Sequence, residues 1–364
     1  MMNIGLIGCG NISSIYLKNS KLFSGISLKK CADMKPEAAR ARAEEFGIEA
    51  VSVDALLNDP EIDIILNLTT PQAHTEIDIR ALSAGKHVYS EKPVAINRDD
   101  GKKVLELAES KHLRVGCAPD TFLGGGIQSC RNLLDKGMIG KVVGGTAFML
   151  CHGHESWHPA PGFYYLNGGG PLFDMGPYYL TALVNLLGPI RRVSAFNTRS
   201  TDLRKGIGVN LGKTFPVEID THVTGILEFV SGAVVTIVMS FDVWKHSGYP
   251  NIELFGSEGS LRIPDPNCFN GEVKFFRYGL TADWASAAQN FTYTDNSRIL
   301  GVAEMAEAIE QNRPHRCSGK LAFHILDAMC GLIEAGKTGS SVTLQSTCER
   351  PAAFREGMKI GELN

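Results

Sequence analysis

Ile4-Gly5-Leu6-Ile7-Gly8-Cys9-Gly10-Asn11-Ile12-Ser13, at the start of the chain, decides how its first third folds. Ile4–Ile7 is a short apolar run that ends in glycine, the pattern of a strand buried on both faces, and an amphipathic helix follows to about Phe23. Gly8 permits the tight turn, and Gly10 lets backbone approach a pyrophosphate at the helix N-terminus, with Asn11 and Ile12 in the same turn. The third fingerprint position holds Ser13, which breaks the strict glycine pattern but is small enough for helix and strand to stay close. The next strand, Leu28–Ala32, ends at Asp33, where an acid that bonds a ribose hydroxyl belongs. Asp33 favours NAD, because a 2′-phosphate would face its carboxylate; Lys35 and Arg40 leave NADP open.

Outward from this turn, strand and helix keep alternating as far as the strand Leu113–Cys117. That rhythm predicts a doubly wound α/β domain with a parallel sheet over residues 1–119. Beyond Pro119 the segments alternate polar and apolar residues (Val142–His152, Glu218–Val230, Ala233–Ser240), and turns join them. Residues 120–364 therefore read as an α+β domain with a large, mostly antiparallel sheet, whose final helices (Leu300–Gln311, Leu321–Ala335) pack back on the first domain.

Composition sets the outer limits. The chain has 364 residues, 44% hydrophobic and 21% charged, which excludes disorder and suits two globular domains. A net charge of −3 and the lack of basic runs speak against nucleic acid. No apolar stretch approaches the length of a membrane helix, and the N-terminus enters a strand without a basic leader. Nine scattered cysteines, never spaced C-x-x-C, suit reduced thiols in a cytoplasmic protein. Glycine is in surplus, 39 residues, so backbone must come close to something beyond ordinary turns.

Two further motifs sit at carboxyl ends of predicted strands, where ligands bind open α/β sheets: Thr69-Thr70-Pro71-Gln72-Ala73-His74 and Glu91-Lys92-Pro93. Together with Gly137-Met138-Ile139-Gly140 and Gly168-Gly169-Gly170-Pro171-Leu172-Phe173-Asp174-Met175-Gly176-Pro177-Tyr178, they resemble the glucose–fructose oxidoreductase / inositol dehydrogenase / MocA family over most of the chain. The resemblance implies an NAD(P)-dependent oxidoreductase acting on a sugar, polyol or sugar derivative, and a homodimer or homotetramer joined through the second sheet. It places the cofactor on Gly8, Gly10, Asn11, Ile12, Asp33, Thr69, Thr70, Pro71, His74, Glu91 and Lys92. It also implies NAD-dependent glycosidases as an alternative within the family. A dinucleotide-binding sensor without catalysis is a third class.

Taking hydride from a carbinol leaves a hydroxyl proton that needs a base. The resemblance implies that Lys92 supplies or steadies that proton transfer, and it is expected to lose its proton more readily beside a cationic ring. Asp174 and Tyr178 are spaced i, i+4 at a helix start and so share a face. Many relatives carry histidine where this chain has Tyr178, whereas the glucose–fructose oxidoreductase and dimeric dihydrodiol dehydrogenase branches carry tyrosine. Tyr178 is therefore read as acid/base with Lys92 as electrostatic partner, Asp174 as an orienter of substrate hydroxyls, and Tyr179 as core. His154-Glu155-Ser156-Trp157-His158 matches the H-E-x-x-H zinc pattern, but Gly153 and Pro159-Ala160-Pro161 leave no room for the helix that zinc chemistry requires, so no metal is expected. The segment reads instead as a substrate loop in which Trp157 stacks on a sugar face and His154 or His158 bonds hydroxyls; Asp120, near the Gly124–Gly126 turn that shapes the cleft floor, is also expected to bind substrate.

Overall fold

The computed structural model describes residues 1–363. The chain divides into two units: Met1–Gly125 with Asn290–Phe323 and the C-terminal segment from Pro351, and Gly126–Gln289 with His324–Arg350.

The first unit is an alternating α/β structure: β1 (Met2–Ile7), α1 (Ser13–Asn19), β2 (Ile26–Ala32), α2 (Pro36–Phe46), β3 (Glu49–Ala50), α3 (Val53–Leu57), β4 (Ile64–Asn67), α4 (Pro71–Ser83), β5 (His87–Ser90), α5 (Arg98–Ser110) and β6 (Val115–Cys117). The strands pair in parallel in the order β3-β2-β1-β4-β5-β6. The central strands β1 and β4 are mostly apolar and buried, with Ile4, Leu6, Ile64, Ile65 and Leu66 fully covered and Val88 of β5 beside them, whereas β2, nearer the edge, carries Lys29 and Lys30. Prolines preset the first turns of α2 and α4, and the Asn97 side chain caps α5 by accepting the Asp100 N–H. The strand order reverses between β1 and β4, so the carboxyl ends of these two strands open the crevice in which doubly wound sheets bind ligands.

This unit also takes in later chain. The Asp120 carboxylate, 1% exposed, accepts the N–H groups of Ile299 and Gly301 at 3.1 and 3.0 Å and holds the start of the helix Leu300–Glu310. Glu304, fully buried, pairs with Arg316 at 2.8 Å, and that guanidinium lies over the Phe354 ring. By contacts the first unit runs past the expected boundary at 119 to Gly125 and takes in two later segments. Carboxylates at positions 120 and 304 tie together stretches far apart in the chain, which local periodicity does not register. Of the two late helices, Leu300–Glu310 belongs to this unit, whereas Gly319–Thr338 gives it only its first turn.

The second unit comprises α6 (Gly125–Asp135), β7 (Val142–Leu150), α7 (Gly170–Leu187), β8 (Ile190–Thr198), β9 (Leu203–Lys205), β10 (Thr214–Pro216), β11 (His222–Phe229), β12 (Val234–Ser240), β13 (Ile252–Gly256), β14 (Gly259–Ile263), β15 (Lys274–Arg277), β16 (Ala285–Ser286) and β17 (Val342–Thr343). Its nine-stranded sheet runs β16-β15-β14-β13-β7-β12-β11-β8-β17 and is antiparallel except where β7 meets β12. Period-2 patterning gives it two faces: in β11, Val223, Leu227 and Phe229 are buried while Ile226 points the other way. The buried face packs against α7 and the helix Gly319–Thr338, where Leu332 approaches Gly225. β9 and β10 form a separate two-stranded ribbon.

Candidate active site

At the end of β1 the chain turns through Gly8 with φ +102°, and a Cβ there would lie 2.6 Å from the Leu68 carbonyl and 2.8 Å from the Thr69 nitrogen. Only glycine lets this turn lie against the exit of β4. A Cβ added at Gly10 would meet nothing within 4 Å, so the turn keeps open space over its backbone. The α1 N-terminus has no side-chain cap, and Asn11 and Ile12 are exposed. Ser13, fully buried, donates its hydroxyl to the Gly10 carbonyl at 2.6 Å and accepts Arg42 Nε at 3.0 Å, so the departure from glycine fastens the turn. Asp33 accepts the Cys9 N–H at 2.7 Å and the Lys35 N–H at 2.8 Å. Those two bonds use about half of a carboxylate's acceptor capacity and leave the rest for ribose hydroxyls. An open turn, uncapped N–H groups and this carboxylate fit a dinucleotide.

The next two turns are laced together beneath that site. Asn67, fully buried at the end of β4, accepts the Thr69 N–H and hydroxyl at 3.2 and 2.7 Å and donates to Asp78 at 2.7 Å. Thr70 is the N-cap residue of α4, and Pro71 occupies its first turn. His74, 1% exposed, sets Nδ1 2.7 Å from the Pro93 carbonyl and Nε2 3.0 Å from the Thr69 carbonyl. Burial pushes its imidazole toward the neutral form, against the two carbonyls, which favour the protonated ring; a neutral ring donates to one of them and lies against the other, between the Thr69–Pro71 and Lys92–Pro93 turns. Glu91 accepts the Tyr16 hydroxyl at 2.7 Å and the Lys92 N–H at 3.0 Å, which ties α1 to the same turn. Lys92 is half-buried, and the Lys92–Pro93 peptide is cis.

In the second unit α7 carries Asp174 and, one turn on, Tyr178, 7% exposed. His154 Nε2 lies 2.9 Å from Asp174 Oδ2, and both side chains are 13% exposed. Tyr179 is core: its hydroxyl donates to the Phe148 carbonyl at 3.3 Å and accepts Asn251 Nδ2 at 2.8 Å. The loop that delivers His154 is anchored from below. Glu155, fully buried, pairs with Arg204, which also bonds Asp242 at 2.6 Å and the His152 and Phe241 carbonyls at 2.9 and 2.8 Å. Burial would raise the Glu155 carboxyl, yet Arg204 holds it below the usual carboxylate range. Residues 154–158 make a single turn, and no group of three His, Cys, Asp or Glu side chains among the described residues is arranged to hold a metal. Trp157 stands 56% exposed with its ring 5.2 Å from that of His154. His158 accepts the Ala160 N–H at 3.1 Å.

Of the residues singled out from sequence, the structure joins His154 to Asp174 and laces Thr69, His74, Glu91 and the Lys92 backbone into one network. Asp120 is spent on a helix start. Sequence reasoning missed Asn67, Asp78, Tyr16 and Arg204. A polar residue ending the apolar run Ile64–Leu66 was a readable signal for Asn67; Arg204 carried none.

Both halves match known proteins in the same order. Residues 2–118 match the family described as oxidoreductase family, NAD-binding Rossmann fold, and residues 127–262 match the GFO/IDH/MocA C-terminal domain. Levoglucosan dehydrogenase of Pseudarthrobacter phenanthrenivorans is 24% identical over 287 residues, covering 71% of this chain and 73% of that protein. Myo-inositol 2-dehydrogenase of Thermotoga maritima is 26% identical over 266 residues, covering 71% and 74%. A solved levoglucosan dehydrogenase in complex with NADH and L-sorbose shares the fold at TM-score 0.80 and 20% identity, over 95% of this chain and 99% of that one. With a dinucleotide turn that fits its cofactor and a second sheet of matching family, the chain belongs to the GFO/IDH/MocA family of NAD-binding oxidoreductases.

Proposed function

We propose that the chain transfers hydride between NAD and a carbinol of a sugar, polyol or sugar derivative, with Lys92 and Tyr178 handling the hydroxyl proton. The observation that carries the substrate class is the Asp174–His154 pair with Trp157 exposed beside it. A carboxylate and an imidazole bond hydroxyls, and an indole offers an apolar face to a sugar ring. The two dehydrogenases named above act on polyhydroxylated compounds, which agrees with this reading.

When bound, NAD supplies the hydride acceptor. The chain's own residues do the rest in this reading. The Gly8–Ile12 turn takes the pyrophosphate and Asp33 the ribose, while the exposed Lys35 and Arg40 keep NADP as the alternative. The Lys92 ammonium favours a developing alkoxide, Tyr178 exchanges the proton at its phenol oxygen, and Asp174, His154 and His158 orient the remaining hydroxyls. All nine cysteines are free thiols, which suits the reducing cytoplasm. Self-association into a dimer or tetramer uses the open face of the second sheet.

The test is absorbance of NADH on mixing protein and NAD with polyols, free sugars, sugar lactones and glycosides. Lys92→Ala and Tyr178→Phe are each expected to lower turnover by about 10²-fold or more while NADH binding, read by fluorescence, stays unchanged. Undiminished turnover in Tyr178→Phe removes that residue from the proton path. Glycoside cleavage without NADH build-up replaces the dehydrogenase reading with redox-neutral hydrolysis. Dinucleotide binding without turnover of any kind leaves a sensor.

A further inference from the structure

We propose that His154 is the base on which the hydroxyl proton comes to rest, with Asp174 fixing its tautomer; this rests on the carbinol reading above. A carboxylate only accepts, so the 2.9 Å bond between Asp174 Oδ2 and His154 Nε2 places the ring proton on Nε2. Neutral His154 then carries its lone pair on Nδ1, and that atom makes no hydrogen bond among the described residues. The ring is held on three sides: Tyr164 at 4.2 Å, Phe241 edge-on at 4.8 Å and Trp157 at 5.2 Å. The backbone is held as well, with the His154 N–H 3.4 Å from the Tyr165 hydroxyl and Glu155 clamped by Arg204.

The H-E-x-x-H letters thus divide between two tasks. Glu155 anchors the loop from inside, and His154 is delivered onto α7. Asp174 and Tyr178 occupy one face of that helix a turn apart, so the helix that receives the imidazole also carries the phenol on that face. A phenol is a poor final acceptor for a proton in neutral water, whereas an imidazole is the side chain most often used as general base. A carboxylate that orients an imidazole and steadies its cation is a recurrent solution for proton transfer. Among the described residues, titratable groups against this ring include Asp174 on α7 and His158, Tyr164 and Tyr165 on its own loop; Phe241, after β12, adds an uncharged face.

In the oxidation direction the carbinol C–H bond breaks and its electron pair leaves as hydride to the oxidised nicotinamide. The O–H bond breaks, an Nδ1–H bond forms on His154, the carbon–oxygen double bond closes, and Tyr178 ends unchanged. Reduction runs the same steps backwards.

Two measurements test this. In 15N-histidine spectra of the protein with NADH bound, the ring identified by its loss in His154→Gln is expected as the Nε2–H tautomer, and Asp174→Asn is expected to mix the tautomers. An Nδ1–H ring overturns the assignment whatever the activity. With myo-inositol and levoglucosan as probes, His154→Gln is expected to lower kcat about 10²-fold, with KM within a few-fold and NADH affinity unchanged. The acid limb of the kcat pH profile is lost in that variant, and added imidazole restores turnover to His154→Ala. A wild-type rate and pH profile in His154→Gln overturns the proposal. A wild-type protein that oxidises neither probe fails the substrate reading alone, and the tautomer spectra then decide the pairing.

Discussion

Asp78 sits completely buried under the two turns that carry Thr69 and Lys92, and its chemistry is set by what it lacks. One carboxyl oxygen accepts Asn67 at 2.7 Å and Ser90 at 3.2 Å, whereas the other has no partner. Burial pushes this carboxyl up to about 7, against the bonds from Asn67 and Ser90 that favour its ionised form. Because the folded value is raised, the contribution to stability is fully present below about 4 and is lost as pH rises through about 7. Asp78→Asn mimics the protonated acid and is expected to flatten that dependence. In urea unfolding the variant should match wild type near pH 4 and exceed it at pH 8 by on the order of 3 kcal/mol. The same difference at both pH values would mean that the carboxyl stays ionised throughout. Little of this was readable beforehand: Asp78 looks like any acid on an amphipathic helix, and only the pairing with Asn67 shows that it faces inward.

The loop between β7 and α7 shows the same limit on a larger scale. Gly153 turns it with φ +75°, and a Cβ there would strike the Tyr165 hydroxyl at 2.3 Å and Glu155 Oε2 at 2.5 Å. The loop has little regular structure of its own, so its shape comes from Arg204, whose guanidinium serves four acceptors with almost no exposure. Removing one member of such a buried pair strands the other's charge. Arg204→Met is expected to lower stability by about 3–5 kcal/mol. Arg204→Lys should not restore it, since an ammonium cannot span the same fork of acceptors. Dinucleotide affinity, which depends on the β1–α1 turn, should be unchanged in whatever protein remains folded; a parallel loss of NADH binding would mean that the loop's effects spread beyond its own unit. The sequence showed the i, i+4 spacing of Asp174 and Tyr178, because that is local. It did not show that His154 meets Asp174 or that Arg204 holds Glu155, because those partners lie 20 and 49 positions away. For the same reason β3 and α3, a two-residue strand and a single turn, left no period to read.

Across the whole molecule, strand–helix alternation and period-2 patterning made both sheets legible, whereas the return of residues 290–323 to the first unit depends on contacts that no local pattern encodes. Period 2 also exposes what remains to be covered. On the face of the second sheet turned away from α7, Phe196 is 77% exposed, Ile226 49%, Val234 45% and Phe255 37%. Register brings them together: Phe196 pairs with Thr224, Ile226 with Thr236, and both Val234 and Phe255 with Gly144. The result is a row of exposed apolar side chains, interleaved with threonines, on β8, β11, β12 and β13. A second copy of the chain related by a two-fold axis is the cover we propose for it. Light scattering on the purified protein is expected to give twice or four times the chain mass. Phe196→Glu with Ile226→Glu should reduce it to one, because two like charges would be buried without a partner. Association also links folding to concentration, so the wild-type unfolding midpoint should rise with protein concentration while that of the double variant should not. A wild-type protein that scatters as a single chain at micromolar concentration would leave the row facing water and sink the proposal.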